Sequence, residues 1–416
     1  MRRLRLAFVI AATLNPALPA TKPAPAKKAA AKKPPPPKKP TRAAISAAAR
    51  AKAQEDINAM IAADTIGVEN ASALAPFFAA ITTPAGPVHI LQFGDSHTAS
   101  DDLVNSIRSV LQTKYGDGGP GFILPGRPFK GYRRFDARAT ATPRWKTEGV
   151  LQNRGNAWQG LGGISISTVV ANQSISVDAS GERLGLNFMR QEKGGRVEIN
   201  ADGQLTEMIP TQGDAGAGTW EAQLTGGEHL IGLRTLDKAP VRLFGWTLEN
   251  SVGVTVETLG INGAWNNIML AWDNEVWSAQ FAARHAALVI LEYGTNEANS
   301  RVWEANQYRR DLAAVVARIR QATPETAILM IGPPDCGQKK PLLHLDDVIG
   351  AQRQFARENN IAYFDWRSHM GGPRSVLNWV TAGFGQRDYI HLTGDGYRLT
   401  AQMLLTALEQ AANVSH

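Results

Sequence analysis

A chain of 416 residues with 44% hydrophobic side chains can bury a sizeable core, as one large interrupted domain or two smaller ones. Its formal charge of +7 is unevenly placed: residues 1–42 hold eleven Lys or Arg and no acid, and taking that +11 from +7 leaves −4 for the remainder. The imbalance excludes a body-wide field for nucleic acid or other polyanions, and a single cysteine, Cys336, excludes an internal disulfide.

Met1-Arg2-Arg3-Leu4-Arg5, the apolar residues 6–14 and small residues up to about Ala20 have the three-part layout of a secretory signal peptide. Export is therefore expected, and a bacterial periplasmic or secreted destination suits a chain without disulfides. Residues 21–42 are nearly all Ala, Lys and Pro and read as an extended, self-repelling linker. It is either a plain spacer or one with weak contact to an anionic membrane or wall surface.

An alanine-rich helix is predicted over residues 43–63. The apolar run at 88–93 predicts a strand that ends in Gly94-Asp95-Ser96-His97, and residues 102–115 carry apolar side chains at helical spacing. Ser96 is thus expected at a strand-to-helix junction, where backbone N–H groups gather. Residues 132–250 change to Gly-punctuated short alternating runs, such as Arg196-Val197-Glu198-Ile199-Asn200, and predict an inserted β-sandwich. Beyond 251 strand and helix patterns alternate: strands at 286–293, 327–331 and 361–365, helices at 303–321, 344–359 and 392–410. The expected fold is α/β, a parallel sheet with helices on both faces, built from residues 43–131 and 251–416 around the insert.

A serine hydroxyl needs a base in hydrogen-bond reach, and the base needs a carboxylate to orient it. Asp388 and His391, three residues apart on a turn or compact loop, can form that pair for Ser96. A tetrahedral intermediate further needs donors for its oxyanion. Asn296, in Gly294-Thr295-Asn296-Glu297 after an apolar strand, is a candidate, and so is the backbone N–H of Gly263 in Gly260-Ile261-Asn262-Gly263-Ala264. The eight histidines are scattered, without His-x-x-x-His spacing or a Cys set, so neither a metal nor a cofactor is expected. Cys336 reads as a passive loop thiol, and His97 as a residue that packs under the turn or binds substrate. Trp265, and Trp145, Trp158, Trp220 and Trp246 in or near the insert, are core aromatics or sugar-stacking ones.

Taken together, Ser96, Gly263, Asn296 and His391 resemble the four blocks of the SGNH (GDSL-type) hydrolase superfamily, in family order over about residues 87–410 apart from the insert. Gly260 competes for the second block. The resemblance implies an α/β/α flavodoxin-like fold with Ser96 as nucleophile, His391 as base and Asp388 as its orienter. It implies an oxyanion hole from Asn296, Gly263 and the Ser96 N–H. The first block reads Gly-Asp-Ser-His, not Gly-Asp-Ser-Leu, and the third ends in Glu297 where Asp is usual. With Tyr115-Gly116-Asp117-Gly118-Gly119-Pro120-Gly121-Phe122, these features look like the periplasmic peptidoglycan O-acetylesterases, in which a carbohydrate-binding-module-like sandwich interrupts the hydrolase at the same place. That implies an acetylated glycan, peptidoglycan first, as substrate. Two other readings use the same residues: an O-acetyltransferase with the same triad, and a non-catalytic glycan-binding wall protein.

Overall fold

The computed structural model describes residues 42–414 apart from 152, 157, 338 and 339. The expected signal peptide, and the linker up to residue 41, lie outside the described residues. Five strands form a parallel sheet in the order Val254–Gly260, Val88–Gly94, Leu288–Glu292, Ala327–Ile331, Ala362–Phe364. Numbered along the chain this is 2-1-3-4-5, so the direction of winding reverses at Val88–Gly94. In such sheets ligands sit beyond the carboxyl ends of the strands flanking the reversal.

Both faces of the sheet are buried, and alternate side chains feed opposite layers. Leu91, Phe93, Leu259, Val289 and Leu291 pack with helices Asn274–Ala283, Ala305–Ala322 and Leu345–Glu358 through Trp277, Phe281, Leu312 and Phe355. Ile90, Val254, Val256, Leu288 and Ile290 point the other way, onto helices Asp102–Tyr115 and Gly394–Val414 through Ile107 and Leu404. The sheet lies between two helical layers, as expected. No helix among the described residues is long and apolar enough to cross a membrane.

Between the first two strands of the parallel sheet the chain builds two antiparallel sheets. One contains Gly216–Gln223, Arg183–Arg190, Val241–Glu249, Ser165–Thr168 and Lys146–Glu148; the other contains Ala137–Ala141, Ser174–Ser180, Glu228–Thr235, Arg196–Ala201 and Gln204–Pro210. Their inner faces share a core of Val177, Leu186, Phe188, Val197, Leu233 and Trp246. Gly121–Ile123 already pairs with Val241–Glu249, upstream of residue 132. Here period-two alternation divides the short strand between cores: Phe122 enters the α/β core and Ile123 the antiparallel one.

Candidate active site

Ser96 is separated from the end of Val88–Gly94 by Asp95 alone and opens a single helical turn, Ser96–Ala99. Asp95 caps that turn, its Oδ1 accepting the His97 N–H at 2.9 Å. Gly94 and Gly260, paired across the ladder, are both glycines because of crowding. A Cβ at 94 would press on the Glu292 backbone and one at 260 on Ala99 and the Asp95 carbonyl, so Gly260 is a packing residue beneath the turn.

His391 arrives from the loop before Gly394–Val414. Asp388 Oδ1 accepts the N–H groups of Ile390 and His391 at 2.9 and 3.0 Å, leaving Oδ2 for His391 Nδ1 at 2.7 Å. A carboxylate only accepts, so Nδ1 carries the proton and Nε2 has a free lone pair. Ser96 Oγ donates to that nitrogen at 2.8 Å. Burial works against the Asp388 charge, but the bonds from His391 and Ile390 hold its carboxyl below the ordinary range. The loop is braced by Gln386 N–H to His391 O at 2.8 Å and Gly337 N–H to Tyr389 O at 2.8 Å.

Asn296 lies on the turn Thr295–Ala298, after Gly294 at φ 127°, where a side chain would crowd Pro333, Gln352 and Val348. Its Nδ2 donates to Asp95 Oδ2 and to Ala264 O, each at 3.1 Å. The amide therefore bridges the serine turn and the turn containing Gly263, whose φ is 77°. Among the described residues, the backbone N–H groups of Ser96 and Gly263 have no protein acceptor. Glu297, the departure from the usual third block, is fully buried, and its Oε1 takes the Asn266 N–H at 2.8 Å. The longer side chain thus ties the Asn296 turn to the segment after Gly263. Burial raises its carboxyl to about 8.

Sequence reasoning did not find the support beneath the nucleophile. Asp95 is fully buried and raised to about 6 by desolvation. Glu292, at the end of the adjacent strand, is raised by burial and by Asp95, and accepts from Thr98 Oγ1 at 3.0 Å. His97 is fully buried behind His391, ring centroids 5.2 Å apart, with Nδ1 2.8 Å from the Tyr397 hydroxyl. Burial and the neighbouring His391 lower it to about 3, so it stays neutral. Gly-Asp-Ser-His did carry these residues in sequence, but nothing local to it named Glu292 or Tyr397.

The tryptophans separate. Trp246 is fully buried in the antiparallel core, whereas Trp145, Trp158, Trp220 and Trp265 are partly exposed. Cys336 is buried, and burial pushes its thiol far above the usual range, which keeps it unreactive. His89, Glu249 and Glu257 bring ligand-type atoms within 4.8 Å, but the Arg284 guanidinium pairs with both carboxylates. The positive charge of that cluster comes from arginine. His89 also sits at the opposite end of its strand from Ser96, about 20 Å along the chain direction.

Residues 219–399 match the GDSL-like lipase/acylhydrolase family. The matched segment holds Gly263, Asn296, Asp388 and His391; Ser96 lies upstream, beyond the antiparallel sheets. No curated protein sequence matches. A solved structure described as a peptidoglycan O-acetylesterase in action, at 5 min, is similar at 28% identity and a TM-score of 0.71, covering 82% of this chain and 97% of that one. A family two carbohydrate esterase from Cellvibrio japonicus aligns at 14% identity over 67% of this chain and 98% of its own, with a TM-score of 0.31, too low to carry weight. A GDSL-like segment that supplies three of the four blocks and a likeness spanning nearly all of a solved esterase support the SGNH (GDSL-type) hydrolase superfamily, and the chain is an esterase of that type.

Proposed function

We propose that this esterase removes O-acetyl groups from a cell-wall glycan, peptidoglycan before others, through an acetyl-Ser96 intermediate. The observation that carries the reading is the continuous chain Ser96 Oγ, His391 Nε2, His391 Nδ1, Asp388 Oδ2, with links of 2.8 and 2.7 Å. Similarity to a peptidoglycan O-acetylesterase over 82% of the chain supports the acyl group and the polymer. An open site also suits a polymer: side-chain exposure is 32% at His391 and 43% at Asp388.

As Ser96 Oγ attacks the acetyl carbonyl, its proton passes to His391 Nε2, and Asp388 stabilises the imidazolium through Nδ1–H. The N–H groups of Ser96 and Gly263 and the Asn296 amide stabilise the oxyanion. His391 then gives the proton to the departing sugar oxygen, and the C–O bond to the glycan breaks. Water, deprotonated by His391, hydrolyses the acetyl-serine and releases acetate.

In this reading residues 1–20 direct export to the periplasm or beyond, and residues 21–42 are a spacer, plain or in weak contact with an anionic surface. Acetate release from O-acetylated peptidoglycan by the full chain, beside its Ser96→Ala variant, tests the function. Release that disappears in the variant supports it. Release unaffected by the substitution, or none from any acetylated glycan, removes it.

A further inference from the structure

We infer that a groove beside the Ser96 turn is a carboxylate-binding subsite, so that the glycan this enzyme deacetylates carries carboxylates close to its acetyl group. The inference rests on the esterase reading above and adds the chemical class of the substrate.

The groove lies in the segment that joins Gly121–Ile123 to Ala137–Ala141 and has a volume of about 390 Å³. Arg127, Arg133, Arg134 and Arg138 line it with Phe135, and no acidic residue does. The segment is pinned to the catalytic region by backbone contacts: Arg133 N–H to Ala99 O at 3.4 Å and Phe135 N–H to Asp101 Oδ2 at 2.7 Å. Asn262 Nδ2, beside Gly263, donates to Lys130 O at 3.3 Å. Ala99 ends the turn that Ser96 begins, so the segment carrying the groove is bonded to the far end of the nucleophile's own turn.

The four arginines are not equivalent. Arg134 is buried and its fork is taken by Asp136, at 2.6 and 2.8 Å, so its charge is spent within the fold. Among the described residues Arg127 has no acidic partner. Arg133 reaches Asp102 at 3.5 Å while remaining 61% exposed, and Arg138 reaches Asp178 only at 3.9 Å while 86% exposed. Exposed pairs of that length contribute almost nothing to stability. Three guanidinium groups therefore share one groove with only long, exposed pairs for two of them and none for Arg127, on a body whose net charge outside residues 1–42 is −4.

Mutual repulsion gives the fold no reason to hold such a group, whereas an anion in the groove would turn repulsion into attraction. Guanidinium forks match carboxylates in two-point contact, which lysine cannot do. Phe135, 55% exposed on the same groove, offers an apolar plane to the C–H face of a sugar ring. Acid recognition and sugar packing thus meet on one groove, carried by a segment that is bonded to the Ser96–Ala99 turn.

The test compares O-acetylated peptidoglycan having free carboxylates with the same polymer after its carboxylates are capped as methylamides. For the wild-type protein the ratio of kcat/KM, free over capped, is expected to be about tenfold or more. In the variant combining Arg127→Ala, Arg133→Ala and Arg138→Ala the ratio is expected to fall to within twofold of one. A wild-type ratio near one, or an unchanged ratio in the variant, overturns the inference. Arg133→Glu, a single exposed change, gives the same readout if the triple variant does not fold, and there the ratio should drop below one. Glycan stripped of its stem peptides but keeping sugar-borne carboxylates separates the two sources: a ratio lost on stripping places the carboxylates on the peptide, and a ratio retained places them on the sugar. Ser96-dependent release that ignores capping sinks the subsite and leaves the esterase standing, while absence of Ser96-dependent release sinks the esterase reading itself.

Discussion

Asn296 Nδ2 lies 3.1 Å from Asp95 Oδ2, so the amide assigned to the oxyanion also holds the residue next to the nucleophile. With Ala264 O as its second acceptor, both amide hydrogens are engaged before substrate arrives. A developing oxyanion competes for one of them, and only a charge stronger than a carbonyl dipole shifts that balance. This makes the contact stronger in the transition state than in the ground state.

Asn296→Ala is therefore expected to lower kcat about a hundredfold with a much smaller change in KM. Steady-state kinetics on a small acetyl ester check this, and a loss below threefold would exclude Asn296 from oxyanion binding.

Ser96→Ala should reduce acetate release by about a thousandfold or more, because the remaining donors and His391 lack a nucleophile to act on. Asp388→Asn keeps the shape of the loop but disturbs the tautomer of His391. Since Asp388 is 43% exposed and water can replace part of its role, a drop of roughly a hundredfold is expected. Equal kcat for Asp388→Asn and wild type would dismiss Asp388 as the orienter.

Tyr397→Phe removes the hydroxyl bound to His97 Nδ1 and leaves a buried nitrogen unpaired. The expected loss is about 1–3 kcal/mol of stability, seen as a lower Tm, with kcat within threefold of wild type. A kcat that collapses while Tm holds would instead place His97 in the chemistry.

Glu297 supplies a stability dependence on pH whose sign follows from its raised carboxyl. An unfolded Glu ionises near 4.5, whereas the buried one holds its proton to about 8. Its neutral form is favoured by the fold, so the contribution is complete below 4.5 and is lost as pH rises through about 8. Glu297→Gln preserves an acceptor for Asn266 N–H without titrating. The fall in Tm between pH 5 and pH 8 should be shallower in the variant, as followed by thermal melts; parallel curves would show that Glu297 does not contribute it.

Much of the α/β scaffold is legible in the apolar patterns. The predicted 102–115 helix and 327–331 strand coincide with Asp102–Tyr115 and Ala327–Ile331, and the helix predicted at 392–410 forms as Gly394–Val414. The apolar pattern does not predict the helix Asn274–Ala283, although Asp273 caps it by accepting the Val276 N–H at 2.9 Å. Only ten residues long, it shows too few turns for periodicity to stand out. The arginine groove escaped for another reason. A net charge averages over the body, whereas the close pairing of Arg134 with Asp136, beside the long exposed pairs of Arg133 and Arg138 and the lack of one at Arg127, is a matter of contact.

Local spacing was sufficient for the Asp388–His391 pair, which acts within one turn. By itself the sequence thus determined which chemical groups exist and the order in which they come. The tertiary structure decided their meeting, placing Ser96 within 2.8 Å of a histidine 295 positions away and Asn296 across from Asp95. Such contacts have no local cause. They follow from the 2-1-3-4-5 strand order, which gathers loops at one edge of the sheet, and from burial of both sheet faces, which offsets the entropy of closing those long loops.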